Sequence, residues 1–395
     1  MSPDVLMFGI GAVVLLSYWF NHVSERYRIP SVILLLATGI LARAVTHAYD
    51  NTFALPSQLI PLLGTAGLVL IVLEGALDLR LDPRRKTFLL RTFGAAALGV
   101  AATTLLLAMA LSLIFGLPAL SACLIAAPFG VISSAVAIPT AASLQENDRE
   151  FVIYESSWSD ILGVMVFNAL LVAFHGGAVT SNLFGGMIAV LLVGALVALA
   201  FYWLVGHLEG HVKFLPLLFA LILVYAAADS LHLSPLLIVL ILGLILNNPH
   251  VLRRFHVLDW MHSNHFDAEL ERLKHLTAEA TFLVRTFFFL LLGYATDPGT
   301  FGDITAWLLA IGIVALIFGA RWVTLYLANE RQIFPLLWVA PRGLITATLF
   351  FSIPAGAAPE AFPKGTFILV VLISCIVMTA GMQAGPIRRF LRRGQ

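Results

Sequence analysis

The sequence predicts an all-α polytopic membrane protein, and two observations support that prediction. Of its 395 residues, 60% are hydrophobic and only 11% are charged, whereas about one quarter of the residues in a typical soluble domain are charged. The mean hydropathy is +0.96, and the apolar residues form runs of about 17–25 residues, the length that a membrane-spanning helix requires. The protein is therefore expected to lie in a lipid bilayer. Its net charge of +1 gives no reason to expect nucleic acid as a partner.

Thirteen apolar runs predict about thirteen transmembrane helices. The ninth run is short, and its separation from the eighth depends on a turn between His232 and Pro235. The first run follows the acidic start MSPD and has no small-residue cleavage signal, so it is predicted to be a helix rather than a cleaved leader. The thirteen runs are 4–23, 31–49, 57–78, 92–115, 119–143, 150–174, 182–206, 213–231, 233–248, 275–296, 303–327, 332–353 and 366–387.

The basic residues predict the orientation of these helices. If the N-terminus lies outside, 18 of the 23 Lys and Arg residues fall in cytoplasmic segments, a bias typical of membrane proteins. The sequence thus predicts a multi-pass protein of the plasma (inner) membrane, with the N-terminus outside and the C-terminus in the cytoplasm. No soluble domain is predicted, because the longest connection, 249–274, is only amphipathic.

The helix count suggests two inverted repeats within a single membrane domain over residues 1–395. Repeat one would cover about 4–174 and repeat two about 213–387, with a linker helix at about 182–206. The fifth span contains AAPFGVISSAVAIPT and the twelfth contains WVAPRGLITATLFFSIP, each with Pro and Gly near its middle. Broken helices at corresponding positions of two halves indicate a transport site, although Pro and Gly are also common in ordinary membrane helices.

The sixth span holds two carboxylates, Glu155 and Asp160, in the segment EFVIYESSWSDILGVMVF. Asp160 lies 11 residues after Arg149, which places it about 16 Å into a hydrocarbon core about 30 Å thick. Acidic residues at that depth mark ion paths, proton relays or ion pairs. Since the two side chains point about 140° apart on a helix, they are expected to have separate roles.

Three arginines within predicted spans could neutralise Glu155, namely Arg285, Arg321 and Arg342. Arg321 is favoured because it lies about ten residues from the cytoplasmic Arg331, at a depth that suits Glu155, and because it is next to the broken twelfth span. A buried arginine requires a carboxylate, and a bidentate pair is the usual solution. The two residues are therefore predicted to form a structural ion pair.

That pairing leaves Asp160 without a buried cation, so Asp160 is predicted to face a cavity and to carry an ion. Ser156, one turn earlier on the same face, would add a hydroxyl group. A single carboxylate can hold one proton or one monovalent cation, and competition between them would give exchange. With Glu155 and Arg321 cancelling, the site would carry one negative charge, and each loaded state would be neutral.

Three further charges are expected to support the site. Arg342 follows Pro341 in the second broken helix and is expected either to neutralise carbonyl dipoles there or to pair with an acid. Arg285 is expected to be structural, with Glu74 or Glu279 as its partner. Glu74, near the inner end of the third span, is expected to be a gate or interface charge rather than a ligand.

Two other classes of protein would need features that the sequence does not supply. A channel would need a continuous wet pore, whereas one mid-membrane carboxylate suits a carrier. An intramembrane hydrolase would need a base beside its nucleophile, and the sixth span has no His or Lys near Ser156, Ser157 or Ser159. Neither an enzyme activity nor a cofactor is predicted.

Several segments resemble a known family, in the family's order. They are YRIPSVILLLATGIL, LVLIVLEGALDLRLDPRRK, YESSWSDILGVMVFN, FLVRTFFFLLLGYATDP, FGARWVTLYLA and APRGLITATLFFSIP, and they are similar to the membrane domain of monovalent cation/proton antiporters of the sodium/proton exchanger superfamily. The resemblance implies the antiporter fold, with two crossed, broken helices, and exchange of a cation for H⁺. Na⁺ is the first choice of cation, with K⁺ and Li⁺ open. A homodimer and an elevator-like movement of one helix bundle are also implied.

The resemblance further implies roles for residues of the sixth and eleventh spans. Asp160 matches the transporting carboxylate of the electroneutral branch, and Ser159 replaces the Asn that precedes it in that branch. Glu155 matches a structural Glu, and Arg321 matches the basic residue that pairs with it.

The first broken helix departs from the family pattern. Its unwound part contains Thr-Asp-Pro in many relatives, but Ser133, Ser134 and Ala135 occupy those positions here. The second acid is therefore absent. Ser133 and Ser134 would instead offer hydroxyl and carbonyl oxygens, which suit Na⁺, Li⁺ or K⁺ without choosing among them.

Overall fold

The structure is a computed structural model, and it is all-helical over the part of the chain that it describes. The described residues are 3–27, 29–48, 59–79, 81, 83–141, 143–176, 190, 192–201, 204, 214–230, 235–248, 264–328, 333–354, 356, 357, 359, 362, 363 and 365–392. Among them are fifteen α-helices, two 3₁₀-helices (Pro83–Arg85 and Pro298–Gly302) and no β-strand. The predicted all-α class is confirmed.

The α-helices are numbered here in chain order. They are α1 (Pro3–Tyr27), α2 (Ser31–Ala48), α3 (Leu59–Asp78), α4 (Lys86–Phe115), α5 (Ala119–Gly130), α6 (Ser134–Ala141), α7 (Glu146–Phe174), α8 (Leu192–Phe201), α9 (Phe214–Ser230), α10 (Pro235–Asn247), α11 (Asn264–Ala295), α12 (Ile304–Leu327), α13 (Ile333–Trp338), α14 (Leu344–Phe351) and α15 (Thr366–Arg392).

Each of the thirteen predicted spans overlaps at least one of these helices. Eight stretches of the described residues are long and apolar enough to cross a membrane. Three shorter apolar helices are α8, Pro216–Ala228 within α9, and α10. The predicted linker span 182–206 is described only at residues 190, 192–201 and 204. Large apolar side chains such as Phe8, Leu113 and Leu308 are exposed, as expected for helices that face lipid.

The prediction that residues 249–274 form a connection is wrong at its C-terminal end, because α11 begins at Asn264. The first turns of this helix are polar, and they carry side-chain pairs at i,i+3 spacing. Arg272 lies 3.5 Å from Glu269, and Lys274 lies 2.8 Å from Glu271. Such pairs stabilise a helix by about 0.2–0.5 kcal/mol each, and Leu270 and Leu273 of the same turns are buried. Residues 249–263 lie outside the described residues.

The packing of the chain divides it into two units. One unit comprises Met1–Gly67, Leu90–Gly163 and Leu283–Gln395, and the other comprises Leu68–Leu89 and Val164–Phe282. The predicted division into two inverted repeats joined by a linker stays a prediction.

In the first unit, the fifth and twelfth predicted spans are both broken. Helices α5 and α6 are separated by residues 131–133, which we call the first break, and α13 and α14 by residues 339–343, the second break. The backbone N–H of Ser133 donates to the Pro341 carbonyl at 3.0 Å, so the two breaks meet. Helix α14 packs against α5, and α12 packs against α13 and α15. The predicted pair of crossed, broken helices is confirmed.

Small residues allow α2 and α11 to approach closely within the same unit. A Cβ on Gly39 would overlap the Leu290 carbonyl, and a Cβ on Gly293 would overlap the Leu36 carbonyl. Such reciprocal glycine contacts are a common way for membrane helices to pack. This contact holds the apolar part of α11, which also carries Arg285.

The second unit contains the end of α3 and helices α8 to α10. Asn248, directly after α10, fixes the chain that follows α3: its amide nitrogen donates to the Leu79 carbonyl at 2.8 Å, and its amide oxygen accepts from the Leu81 N–H at 2.7 Å. Asn247 also donates to the Leu79 carbonyl, at 3.0 Å. The side chain of Glu74, also in this unit, is half-buried on α3.

Candidate ion-binding site

Asp160 lies beside the first break, and one of its oxygens is held there. Its Oδ2 accepts a hydrogen bond from the Ser134 backbone N–H at 3.3 Å. Ser134 is the first residue of α6, so the carboxylate lies at the end of a helix where unpaired N–H groups and the helix dipole favour negative charge. Asp160 Oδ1 is buried and has no hydrogen-bond partner among the described residues. This oxygen is available to a proton or a cation.

The serines predicted to bind the ion are all buried but are placed differently. Ser159 Oγ accepts a hydrogen bond from the backbone N–H of Ile132, in the first break, at 2.9 Å. Ser133 and Ser134 lie at the end of the first break and the start of α6. The Ser156 hydroxyl instead donates to the Ile153 carbonyl of its own helix at 3.3 Å. The structure thus brings Asp160, Ser159, Ser133 and Ser134 to one place, and the ligand role of each stays a prediction.

Glu155 and Arg321 form the ion pair that the sequence analysis expected. Arg321 Nη1 lies 3.0 Å from Glu155 Oε1, and Arg321 Nη2 lies 3.0 Å from Oε2. Only 3% of Glu155 and 4% of Arg321 is exposed. Arg321 Nε also donates to the Leu336 carbonyl in α13 at 2.8 Å. Three strong hydrogen bonds therefore connect α7, α12 and α13, as a buried charge pair requires.

Arg342 connects the two breaks. From the second break its Nη1 donates to the Val131 carbonyl of the first break at 2.8 Å. Its own backbone N–H donates to Ser374 Oγ at 3.1 Å, and its carbonyl accepts from the Cys375 thiol at 3.6 Å. Of the two alternatives that the sequence left open, neutralisation of carbonyl dipoles at a break matches this geometry. A cation there complements the C-terminal end of α5.

Arg285 also donates to a carbonyl near the first break, that of Ala135, at 3.0 Å. Neither Arg285 nor Arg342 is hydrogen-bonded to the Asp160 carboxylate, and the expectation that Asp160 has no buried cation as its partner stays a prediction. Arg342 and Arg285 bind the carbonyls of Val131 and Ala135. In the sequence these two residues lie on either side of Ser134, the residue that donates to Asp160. The predicted gate role of Glu74, in the second unit, stays a prediction.

Sequence reasoning missed the backbone groups that build the site. The N–H groups of Ile132 and Ser134 and the carbonyl of Val131 hold three side chains, yet backbone groups carry no residue-specific signal. Ser374, which accepts from the backbone of Arg342, was also missed. The one usable signal was the pair of breaks itself, because an interrupted helix must leave N–H and C=O groups that seek partners.

Comparison with known proteins supports this assignment of fold. The chain is 24% identical over 404 residues to proteins named K(+)/H(+) antiporter NhaP2 from Shewanella sp. strain MR-4 and from Shewanella baltica strain OS223. Each match covers 95% of this chain and 65% of the relative, so the chain spans slightly less than two thirds of the length of these relatives.

The structure is similar to that of the sodium proton antiporter MjNhaP1 from Methanocaldococcus jannaschii at pH 8, with a TM-score of 0.73 and 21% sequence identity. The match covers 97% of this chain and 98% of that chain, which shows a shared fold. Residues 11–384 match the family model described as sodium/hydrogen exchanger, transmembrane. The resemblance found in the sequence is confirmed, and this multi-pass membrane protein belongs to the transmembrane sodium/hydrogen exchanger family, a family of transporters rather than enzymes.

Proposed function

We propose that this protein is a secondary active transporter that exchanges a monovalent cation for H⁺ by competition at Asp160. The observation that carries this proposal is the environment of the Asp160 side chain, which is only 5% exposed. Its Oδ2 accepts a hydrogen bond from the first residue of α6, whereas its Oδ1 has no hydrogen-bond partner among the described residues. A proton and a cation cannot both neutralise one carboxylate at the same time. Movement of the empty, charged site through the bilayer would be costly, which couples the two fluxes.

Na⁺ is the proposed cation, and K⁺ is the second candidate. The Shewanella relatives are named for K⁺ and the Methanocaldococcus protein for sodium, so the comparisons support a monovalent cation of either kind. The hydroxyls of Ser133, Ser134 and Ser159 beside the first break would offer hard oxygen donors, which accept both ions and Li⁺. A direct comparison of the three cations will decide.

A functional test uses purified protein in proteoliposomes. Asp160→Asn should abolish cation-driven proton flux, because the amide cannot exchange a proton for a cation, while expression and thermal stability stay near wild type. Asp303→Asn is the matched control: Asp303 caps α12 through the Thr305 N–H at 2.9 Å, and Asn caps helices equally well. Wild-type exchange by Asp160→Asn would end the proposal. Cation flux without proton movement would instead indicate a channel.

The proposed stoichiometry is one proton for one cation, which makes the cycle electroneutral. Fixed charges such as Arg342 do not alter this conclusion, because they are present in both half-cycles. Each net charge moved would couple transport to voltage by about 2.3 kcal/mol per 100 mV. In proteoliposomes clamped by a potassium ionophore, with Na⁺ or Li⁺ as substrate, the final pH gradient should not follow the imposed voltage. A voltage-dependent gradient would require a second carried proton, and Glu155 or Glu74 would then be reassigned as its carrier.

The family resemblance also supports a homodimer that works by an elevator-like movement, in a plasma (inner) membrane with the N-terminus outside. The distribution of basic residues supports that orientation. The molecular mass of the detergent-solubilised protein, measured by light scattering, should correspond to two chains. Labelling of single cysteines introduced at either end of α4 should find its N-terminal end on the cytoplasmic side.

A further inference from the structure

Gly163 lies on the side of α7 that faces the first break. It follows Asp160 by three residues and Ser159 by four, so on the helix it lies about 60° from Asp160 and about 40° from Ser159, between the two. Ser159 and Asp160 accept hydrogen bonds from the backbone N–H groups of Ile132 and Ser134. Gly163 is the third contact of α7 with this region of the chain.

Only glycine fits at position 163 without a shift of its neighbour, Val131. A Cβ on Gly163 would overlap Val131 Cγ2 and would lie 3.3 Å from Val131 Cβ and 3.4 Å from Cγ1. Val131 is 0% exposed, so its side chain has no solvent to move into. Its carbonyl is held on another side by Arg342 Nη1 at 2.8 Å. Val131 is therefore fixed between α7 and the second break.

We infer that the contact between Gly163 and Val131 determines the cation preference of the site, because it fixes how closely the first break approaches Asp160. The inference rests on the proposed exchange at Asp160. The Ser134 backbone nitrogen lies 3.3 Å from Asp160 Oδ2, a long distance for an N–H···O hydrogen bond. A further separation would move the break out of reach of an ion held by the carboxylate.

Cation selectivity depends on cavity size and on the number and field strength of the oxygens that surround the ion. The distance between α7 and the first break changes both quantities together. A close approach lets oxygens from both sides surround a small ion, so the native contact should favour Na⁺ or Li⁺ over the larger K⁺. Gly163 and Val131 would act as positioning residues, since neither supplies a charged or hydroxyl ligand.

Three variants test this inference through the ratio of apparent KM values for Li⁺, Na⁺ and K⁺ in proton exchange. Gly163→Ala should push Val131 and the break away from α7 and raise the KM for Na⁺ relative to K⁺ at least about fivefold. In Gly163→Ala/Val131→Ala the overlapping methyl groups are gone, so the ratio should return towards wild type. Gly99→Ala on α4 is the matched control, because nothing lies within 4 Å of a Cβ there, and it should leave the ratio unchanged.

Val131→Ala alone keeps the inference testable if Gly163→Ala does not fold, because it only removes atoms. Without the two methyl groups of Val131 the break can lie closer to α7, so the KM for Na⁺ relative to K⁺ should fall at least about threefold, opposite to the change in Gly163→Ala. An unchanged ratio in Val131→Ala, or a shifted ratio in Gly163→Ala that Val131→Ala fails to reverse, would overturn the inference. Persistence of exchange in Asp160→Asn would overturn the proposed function instead, whatever the ratios.

Discussion

The two breaks in the first unit are built alike at the end of the half-helix that precedes each of them. An arginine donates to a carbonyl at each of these ends: Arg342 to Val131, directly after α5, and Arg321 to Leu336, in the last turn of α13. The last carbonyls of a helix have no partner within the helix and carry partial negative charge. In both places a buried guanidinium group supplies the missing donor and the compensating charge.

The two breaks differ in how the charge of the arginine is balanced. Arg321 forms a bidentate pair with Glu155. Within the described part of the chain, Arg342 forms no ion pair with a carboxylate, and its Nε has no hydrogen-bond partner. The second break is thus neutralised by a fixed pair, whereas Arg342, which donates to the first break, has no fixed acid among the described residues. Under the proposed function, the ion pair at the second break is a permanent scaffold, whereas the charge of the site beside the first break changes during the transport cycle.

The largest expected effect concerns the fixed pair. Arg321→Leu should lower the free energy of unfolding by about 3–5 kcal/mol, because it leaves Glu155 buried without its counter-charge. Glu155→Leu should have a similar effect, and Glu155→Leu/Arg321→Leu should recover part of the loss. Thermal unfolding of the purified variants in detergent provides the measurement. Strictly additive losses in this double-mutant cycle would show that the two residues do not act as a pair.

The next effect concerns the unbalanced arginine. Arg342→Leu should cost about 1.5–3 kcal/mol, the value of a hydrogen bond that involves a charged group, because the Val131 carbonyl loses its donor. Arg342→Lys should restore part of the loss.

A second double-mutant cycle combines Arg342→Leu with Asp160→Asn. The comparison of the two breaks predicts additive losses here, unlike in the cycle of Glu155 and Arg321. The losses in Arg342→Leu/Asp160→Asn should add within about 0.5 kcal/mol, since the described structure shows no contact between these two side chains. A coupling as large as that of the fixed pair would mean that Arg342 is the counter-ion of Asp160, and the contrast between the two breaks would be lost.

The fold could be predicted because a membrane leaves few alternatives for the backbone. Every backbone polar group in lipid needs an internal partner, so apolar runs become helices, and Pro and Gly in the middle of two of them become breaks. Depth along the helix, together with the position of Arg321 next to the broken twelfth span, was enough to match Glu155 with Arg321. Residues 264–274 were missed because charged residues interrupt their apolar pattern, although Leu270 and Leu273 are buried there.

The backbone part of the site could not be predicted from the sequence. The course of the chain after α5 decides which backbone N–H group donates to Asp160. That course depends on the hydrogen bond between the Ser133 N–H and the Pro341 carbonyl, two residues more than two hundred positions apart. The carbonyl partners of Arg342 and Arg285 depend on the same crossing. Gly163 is different, because it is visible in the sequence as a glycine about one turn after Asp160. A glycine at such a position indicates that another part of the chain approaches the helix closely.

The smallest expected effect tests how the first break is held on its side facing α7. Ser159→Ala removes the acceptor of the buried Ile132 N–H and should cost about 1–3 kcal/mol of stability, the value for a buried donor left without a partner. It should also raise the apparent KM for the cation, because the break is then held less firmly beside Asp160. Ser156→Ala is the matched control on the same helix, since its hydroxyl only returns to Ile153.

Ser156 and Ser159 were both predicted to bind the ion, and the structure gives a reason to separate them. The Ile153 carbonyl accepts from Ser157 Oγ at 2.8 Å as well as from Ser156 at 3.3 Å, so Ser156→Ala leaves no backbone group without a partner and should change stability and KM little. Thermal unfolding and cation titration of proton flux on both variants measure the difference. If Ser156→Ala raises the KM as much as Ser159→Ala does, then Ser156 turns towards the ion during transport, and the ligand set must extend along α7 rather than centre on the first break.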